Sequence, residues 1–248
     1  MQPCTLLPWD SDFFGFRIGR LEGHTLNPQR ATAVDDWCQE NAIRCLYFLA
    51  DAADPTTSAT AEQNRYRLVD IRMTFKLKLA EKSQTDHQPA VGLVIRPAIP
   101  ADIPQLKEIS KISYTLSRFY YDPGFPHQRC DDLYAVWVEK SCQGYADEVL
   151  VAEVEGQPSG FITLKNHHEG EAYGEIGLVG ISPQAQGHGL GQKLVQHGLT
   201  WFAGQGITNV EVVTQGRNVR AQRLYQRAGF ITEAIQLWYH KWFPLDDR

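Results

Sequence analysis

Gln184-Ala-Gln186-Gly187-His188-Gly189-Leu190-Gly191-Gln192-Lys-Leu194 is the stretch whose reading decides the fold. Its three alternate glycines open the backbone and let successive N–H groups point outward together. Ahead of it, Tyr173 to Ile181 reads as a strand that runs into Ser182-Pro183. Behind it, Leu190, Leu194, Val195, Leu199 and Trp201 recur at helical spacing. The turn therefore sits at a helix N-terminus, where about half a unit of positive charge resides. Such a nest suits a diphosphate. Gly191 leads into Gln192-Lys193-Leu194 rather than Gly-Lys-Ser/Thr, which argues against nucleoside triphosphate hydrolysis. A dinucleotide fingerprint would space its glycines G-x-G-x-x-G, although Glu211 stands about 20 residues on, where a ribose-binding acid would be.

Working outward, the strand Asn209 to Thr214 follows, then a helix Asn218 to Arg227 closed by Gly229, and a last strand Ile231 to Trp242. Upstream, Glu148 to Glu155 and Ser159 to Lys165 form a hairpin around Glu155-Gly-Gln-Pro158. Leu93 to Ala98 is a strand, and Ile103, Leu106, Ile109 and Ile112 fall at helical spacing behind Asp102, a candidate cap. The polar run from Ala80 to Ala90 has the composition of a connection and places a domain boundary near Gln88. Before it, strands are predicted over Phe13 to Leu21, Arg44 to Ala50 and Leu68 to Leu79, with helices over Ala31 to Asn41 and Thr57 to Arg67. Residues 1–88 thus form a small α/β domain and residues 89–248 a larger mixed α/β domain. Ala61 to Arg72 and Ala221 to Thr232 each run from a tyrosine-bearing helix into a long strand. The echo reads as a truncated copy of one unit, or as two ordinary helix-to-strand junctions.

The 248 residues are 43% apolar, 21% charged and 11% aromatic, enough for a sizeable core without disulfides or metals. With 24 basic against 29 acidic residues the net charge is -5, which offers no general attraction to nucleic acid or anionic membrane. No apolar run approaches the roughly 20 residues that span a bilayer, and the N-terminus lacks the marks of a secretory signal, so a cytoplasmic protein is expected. Cys4, Cys38, Cys45, Cys130 and Cys142 are odd in number and scattered, which predicts reduced, mostly buried thiols and no metal site. Adjacent His167 and His168 are expected to be solvent-exposed.

Gln184, Gly187, Gly189 and the Ile181-Ser-Pro183 step resemble the acyl-CoA-binding motif of the GNAT superfamily of N-acyltransferases. The segment from Asn218 through Tyr225 to Phe230 resembles the superfamily's next element, an Asn-capped helix whose tyrosine faces the thioester. The likeness covers about Val91 to Trp242. It implies a central, mixed, largely antiparallel sheet and acetyl-CoA as cofactor. It also implies contacts from Val179, Gly180, Ile181, Gln184, Gln186, Gly187, His188, Gly189, Leu190, Gly191, Gln192, Asn218 and Tyr225. In Gly177 to Ile181, a strand splaying from its neighbour would free N–H groups for the carbonyl oxygen. Tyr225 is the candidate general acid, because a hydroxyl of pKa about 10 can return a proton to a thiolate of about 8.5. Glu175 is the candidate base, and Leu224 stands where the family's pattern places a basic residue. No cysteine lies near the motif, so direct transfer in a ternary complex is expected.

Leu116 to Pro126 and Leu133 to Ser141 combine aromatic and charged residues after the first helix of the larger domain. Arg118, Phe119, Tyr121, Asp122, Tyr134 and Trp137 are therefore the candidate acceptor-binding residues. With Trp9 to Leu21, this segment resembles the TDP-fucosamine acetyltransferases, which acetylate the amine of a nucleotide-linked amino sugar. The resemblance implies a TDP-amino sugar as acceptor and a homodimer. An acetyltransferase for another amine, such as a peptide N-terminus or polyamine, and a non-catalytic acyl-CoA sensor are the alternatives.

Overall fold

A computed structural model describes residues 2–79 and 92–244, so the boundary expected near Gln88 lies outside the described residues. The chain runs β1 (Cys4–Leu6), α1 (Pro8–Phe14), β2 (Ile18–Leu21), α2 (Pro28–Glu40), β3 (Cys45–Asp51), α3 (Pro55–Gln63) and β4 (Arg67–Lys78). It continues through β5 (Leu93–Pro97), α4 (Ile103–Ser113), α5 (His127–Lys140), β6 (Glu148–Val154), β7 (Gln157–His167) and β8 (Tyr173–Ile181). The last elements are α6 (Leu190–Gly204), β9 (Asn209–Gln215), α7 (Val219–Arg227) and β10 (Ile231–Trp242).

All ten strands form one sheet in the order β1-β2-β3-β10-β4-β9-β8-β7-β6-β5. Only β2 with β3 and β8 with β9 are parallel, so the sheet is largely antiparallel, as expected. The C-terminal strand β10 lies between β3 and β4, which makes one sheet of the N-terminal and C-terminal regions. The two strands of the internal echo, β4 and β10, are antiparallel neighbours.

Side-chain alternation sorts the core into two faces. On β6, Leu150 and Ala152 pack with Leu194, Val195 and Phe202 of α6, whereas Val149 and Val151 pack with Leu106 and Ile109 of α4. On β3, Leu46 and Phe48 pack against α2, whereas Cys45 and Tyr47 join Phe119, Phe125 and Leu133 of the segment around α5. The aromatic segment thus covers the N-terminal strands on the same face as α4.

Three expectations are corrected. Phe13 to Leu21 is the end of α1, a Gly15 turn at φ 80° and the short strand β2, because α1 begins at Pro8, where a missing N–H costs nothing. The aromatics Trp9, Phe13 and Phe14 serve that helix's packing instead of a pleat. Asp102 does not cap α4: its carboxylate accepts the Ile99 N–H and pairs with Arg96 at 2.7 Å. Of the two histidines expected to be solvent-exposed, His168 is exposed, whereas His167 ends β7 half-buried, stacked on Tyr173 at 4.5 Å between ring centroids.

The five cysteines are free thiols, all buried but the half-buried Cys142. Cys45, Asp122 and His240 come together in the core, where Asp122 accepts hydrogen bonds from His240 Nδ1 at 2.6 Å and Trp242 Nε1 at 2.9 Å. No described helix is long and apolar enough to cross a membrane.

Burial, opposed by the Asp122 hydrogen bond, lowers the His240 pKa to about 4 from its ordinary 6.5. The unfolded chain therefore binds a proton that the folded chain refuses, and stability is lost as pH falls from about 6.5 toward 4. The shift corresponds to about 3 kcal/mol. Calorimetric melting from pH 4 to 7 should show a shallower acid decline for His240→Gln than for the native protein. Equal slopes would remove His240 as the cause.

Candidate active site

A cleft of about 640 Å³ opens where β8 and β9 part. The two strands pair in parallel only from Gly174–Val210 to Ile176–Val212. Beyond Ile176, two residues of β8, Gly177 and Leu178, stand opposite the single Thr163 of β7. This bulge bends β8 away from β9 while Thr163 Oγ1 accepts the Leu178 N–H at 2.8 Å. Gly177, Leu178 and Val179 line one wall of the opening, and Val213, Thr214 and Gln215 the other. The splay expected from the glycines is present, and the Val179 N–H lies beside the Tyr114 hydroxyl inside the cleft.

At the mouth, Gly187 and Gly189 have φ of 86° and 74°, and Gly189 is the N-cap of α6. Only a glycine adopts these angles without strain, and a Cβ at either would project into open space. Gly191 also lines the cleft and serves helix packing as well, since a Cβ there would come within 3.3 Å of Leu224 of α7. Leu224, at the position where the family pattern has a basic residue, thus packs α7 onto α6. Ile181, Gln186, Leu190 and Gln192 also line the cleft, whereas Gly180, Gln184 and His188 do not. Gln186 is held at both ends of its amide, donating to the Ile181 carbonyl and accepting from Arg220 at 2.6 Å.

Asn218 caps α7 by accepting the Ala221 N–H at 3.1 Å, a bond worth about 1 kcal/mol. About two turns later, Tyr225 is buried against Phe75 and Phe230 and faces the cleft. Burial alone pushes its hydroxyl well above the ordinary tyrosine value, so it holds its proton at neutral pH.

Toward β4 and β10 the cleft becomes aromatic and charged. Arg118, Phe119, Tyr134 and Trp137 line it as expected. The Arg118 guanidinium lies 4.2 Å from the Trp238 ring centroid, 4.4 Å from Phe119 and 4.9 Å from Tyr47. No carboxylate comes within 4.0 Å of it among the described residues, and its Nε is buried without a hydrogen bond. Tyr121 and Asp122 do not line the cleft. Tyr121 stacks on Arg217 at 3.6 Å, and Asp122 is the buried partner of His240 and Trp242. Glu175 is also outside the cleft lining: its carboxylate binds His167 Nε2 at 2.6 Å.

Among the cleft residues that escaped sequence reasoning are Asp70 and Arg72 of β4, Trp238 of β10, and Tyr114 at the end of α4. Asp70 did carry a signal, a carboxylate flanked by Val69 and Ile71 in a long strand, yet alternation with Arg72, Thr74 and Lys76 made that face look solvated.

Residues 109–230 match the model of the acetyltransferase (GNAT) family. A mycothiol acetyltransferase of Stackebrandtia nassauensis is 30% identical over 86% of this chain, which spans just under two thirds (66%) of that relative. A dTDP-fucosamine acetyltransferase of Escherichia coli O6:H1 is 26% identical over 95% of this chain and 96% of its own length. The fold matches a GCN5-related N-acetyltransferase of Sphaerobacter thermophilus with a TM-score of 0.62 and 17% identity, over 98% of this chain and 78% of that one. The motif at α6, the parted strands and these relatives converge: residues 109–230 form a GNAT acetyltransferase domain.

Proposed function

We propose that the protein moves an acetyl group from acetyl-CoA to the primary amine of a nucleotide-linked amino sugar, directly within a ternary complex. One observation carries this reading: a single cleft joins the glycine turn and Tyr225 to an aromatic compartment holding the unpaired Arg118 cation. A half-buried guanidinium set among three aromatic rings, with no carboxylate within 4.0 Å among the described residues, suits an acceptor that brings its own anion, as a nucleotide diphosphate does. The Escherichia coli relative, matched along 96% of its length, supports the same acceptor. The mycothiol acetyltransferase relative supports a second reading, another small amine bound in the same compartment.

The residues present fit acetyl-CoA. Gly187 and Gly189 leave room at the α6 N-terminus for a diphosphate to meet backbone N–H groups, with the helix dipole favouring negative charge. Acetyl-CoA, when bound, supplies an acetyl group activated as a thioester. The Val179 N–H, on the strand freed from β9, is placed to donate to the carbonyl oxygen. Tyr225 holds at its Oη the proton that the departing sulfur requires. Asn218 fixes the first turn of α7 and so the depth of Tyr225 in the cleft.

Thiol release from acetyl-CoA, measured across TDP-4-amino-4,6-dideoxyhexoses, free amino sugars, polyamines and an N-terminal peptide, tests the acceptor. Turnover confined to the nucleotide sugars is expected; turnover confined to another amine moves the substrate to the second reading. Tyr225→Phe should lower kcat by about 100-fold and leave acetyl-CoA affinity by calorimetry within about twofold. An unchanged kcat would remove Tyr225 from the proton transfer. Gly189→Val should weaken acetyl-CoA binding at least about tenfold, because a β-branched residue strains at φ 74° and crowds the nest. Native affinity in that variant would place the diphosphate elsewhere.

A further inference from the structure

We propose that Asp70 is the catalytic residue that takes the acceptor's proton, supplied to the cleft by strand β4 of the N-terminal region. The inference rests on the acetyltransferase reading above. Asp70 is 4% exposed and lines the acceptor side of the cleft. It stands across the β4–β10 ladder from Trp238, beside a register shift that leaves Val69 as an extra residue between the pairs Asp70–Trp238 and Leu68–Tyr239. The Val69 carbonyl accepts both terminal nitrogens of Arg217 at 3.0 Å, which pins this bulge. Asp70 Oδ1 accepts the Ile71 N–H at 2.8 Å and lies 3.6 Å from Arg217. Oδ2 receives no hydrogen bond among the described residues, so a carboxylate oxygen is left for a ligand in the cleft.

The charged and titratable groups around Asp70 come from four elements: Arg217 from the β9–α7 turn, Arg118 from the segment after α4, Tyr134 from α5 and Arg72 on β4 itself. Burial is the strongest influence and pushes the carboxyl up to about 6 against Arg217, the Ile71 N–H and Arg118. An aspartate poised there is ionised at neutral pH yet basic enough to accept a proton. Glu175, by contrast, is committed to His167 and lies outside the cleft lining.

The step balances. The acceptor nitrogen uses its lone pair to form the N–C bond and passes one proton to Asp70 Oδ2. The C–S bond breaks with its electron pair on sulfur, and sulfur takes the Tyr225 proton. The proton on Asp70 then returns through cleft water to the tyrosinate, restoring both side chains.

The experiment compares native protein, Asp70→Asn, Asp70→Glu and Glu175→Gln on whichever amine of the panel turns over, with melting curves to check folding. Asp70→Asn should lower kcat about 100-fold and abolish the acid limb of the kcat–pH profile near pH 6, with Asp70→Glu restoring part of both. Glu175→Gln should keep that limb. In the free protein, carbon-13 NMR of labelled aspartate should show a carboxyl titrating near pH 6 that is missing from Asp70→Asn. An Asp70→Asn variant that keeps the limb and a rate within about threefold of native, or an Asp70 signal titrating below about pH 5, overturns the proposal alone. Native protein that turns over no amine removes the acetyltransferase reading and this proposal with it.

Discussion

Everything at the cleft depends on how little β8 and β9 hold each other. Parallel neighbours of nine and seven residues could share a long ladder, yet only Gly174 to Ile176 pair with Val210 to Val212. The cause is local: Gly177 and Leu178 share one partner on β7, and the missing Cβ of Gly177 avoids a 2.8 Å approach to Thr163 Oγ1. Once β8 has turned away, its backbone faces a gap instead of a strand. The same gap is lined by Tyr225 of α7 and by the glycine turn at the α6 N-terminus. A sheet without the bulge would close over the position that both helices address.

The motif half of this arrangement was legible because each signal is local. Gly187 and Gly189 need left-handed backbone, Asn218 needs only the next helical turn, and Tyr225 follows by spacing. The strands from β3 to β10 were likewise readable, since interior strands such as Cys45–Asp51 and Glu148–Val154 carry continuous buried runs and Asn209–Gln215 alternates. The exception was Phe13–Leu21. Aromatic residues favour strands by propensity, but here Trp9, Phe13 and Phe14 form the packing face of α1, and tertiary contact decides the outcome.

The acceptor half was legible only in part. Of the residues expected to hold the acceptor, Arg118, Phe119, Tyr134 and Trp137 do line the cleft, and they were legible because they share one aromatic stretch that follows a helix. Asp70 and Trp238 lie 168 positions apart and meet only because β10 inserts beside β4, a non-local pairing with no sequence signature. Asp122 failed for the opposite reason. It has the composition of a ligand-binding acid, but His240 and Trp242 claim its oxygens inside the core. A polar side chain in an aromatic segment reads alike whether it faces a substrate or holds the segment down.

That buried contact explains why the N-terminal strands belong to the site and not merely to the scaffold. The acceptor segment between α4 and α5 has no ladder of its own, so its position is set by what its side chains grip. Asp122 grips β10, Phe119 and Phe125 pack on Tyr47 of β3, and Tyr121 stacks on Arg217, which in turn pins the bulge beside Asp70. Each of these anchors lies on or next to a strand of the β3-β10-β4-β9 series. The cofactor side can be assembled from the GNAT domain alone, since β8, α6 and α7 carry it. The acceptor side cannot, because its walls come from β4 and β10 and its loop is moored to β3. On the proposed reading, acceptor choice is therefore a property of the joined sheet, and changes in the N-terminal region act on specificity before they act on the glycine turn.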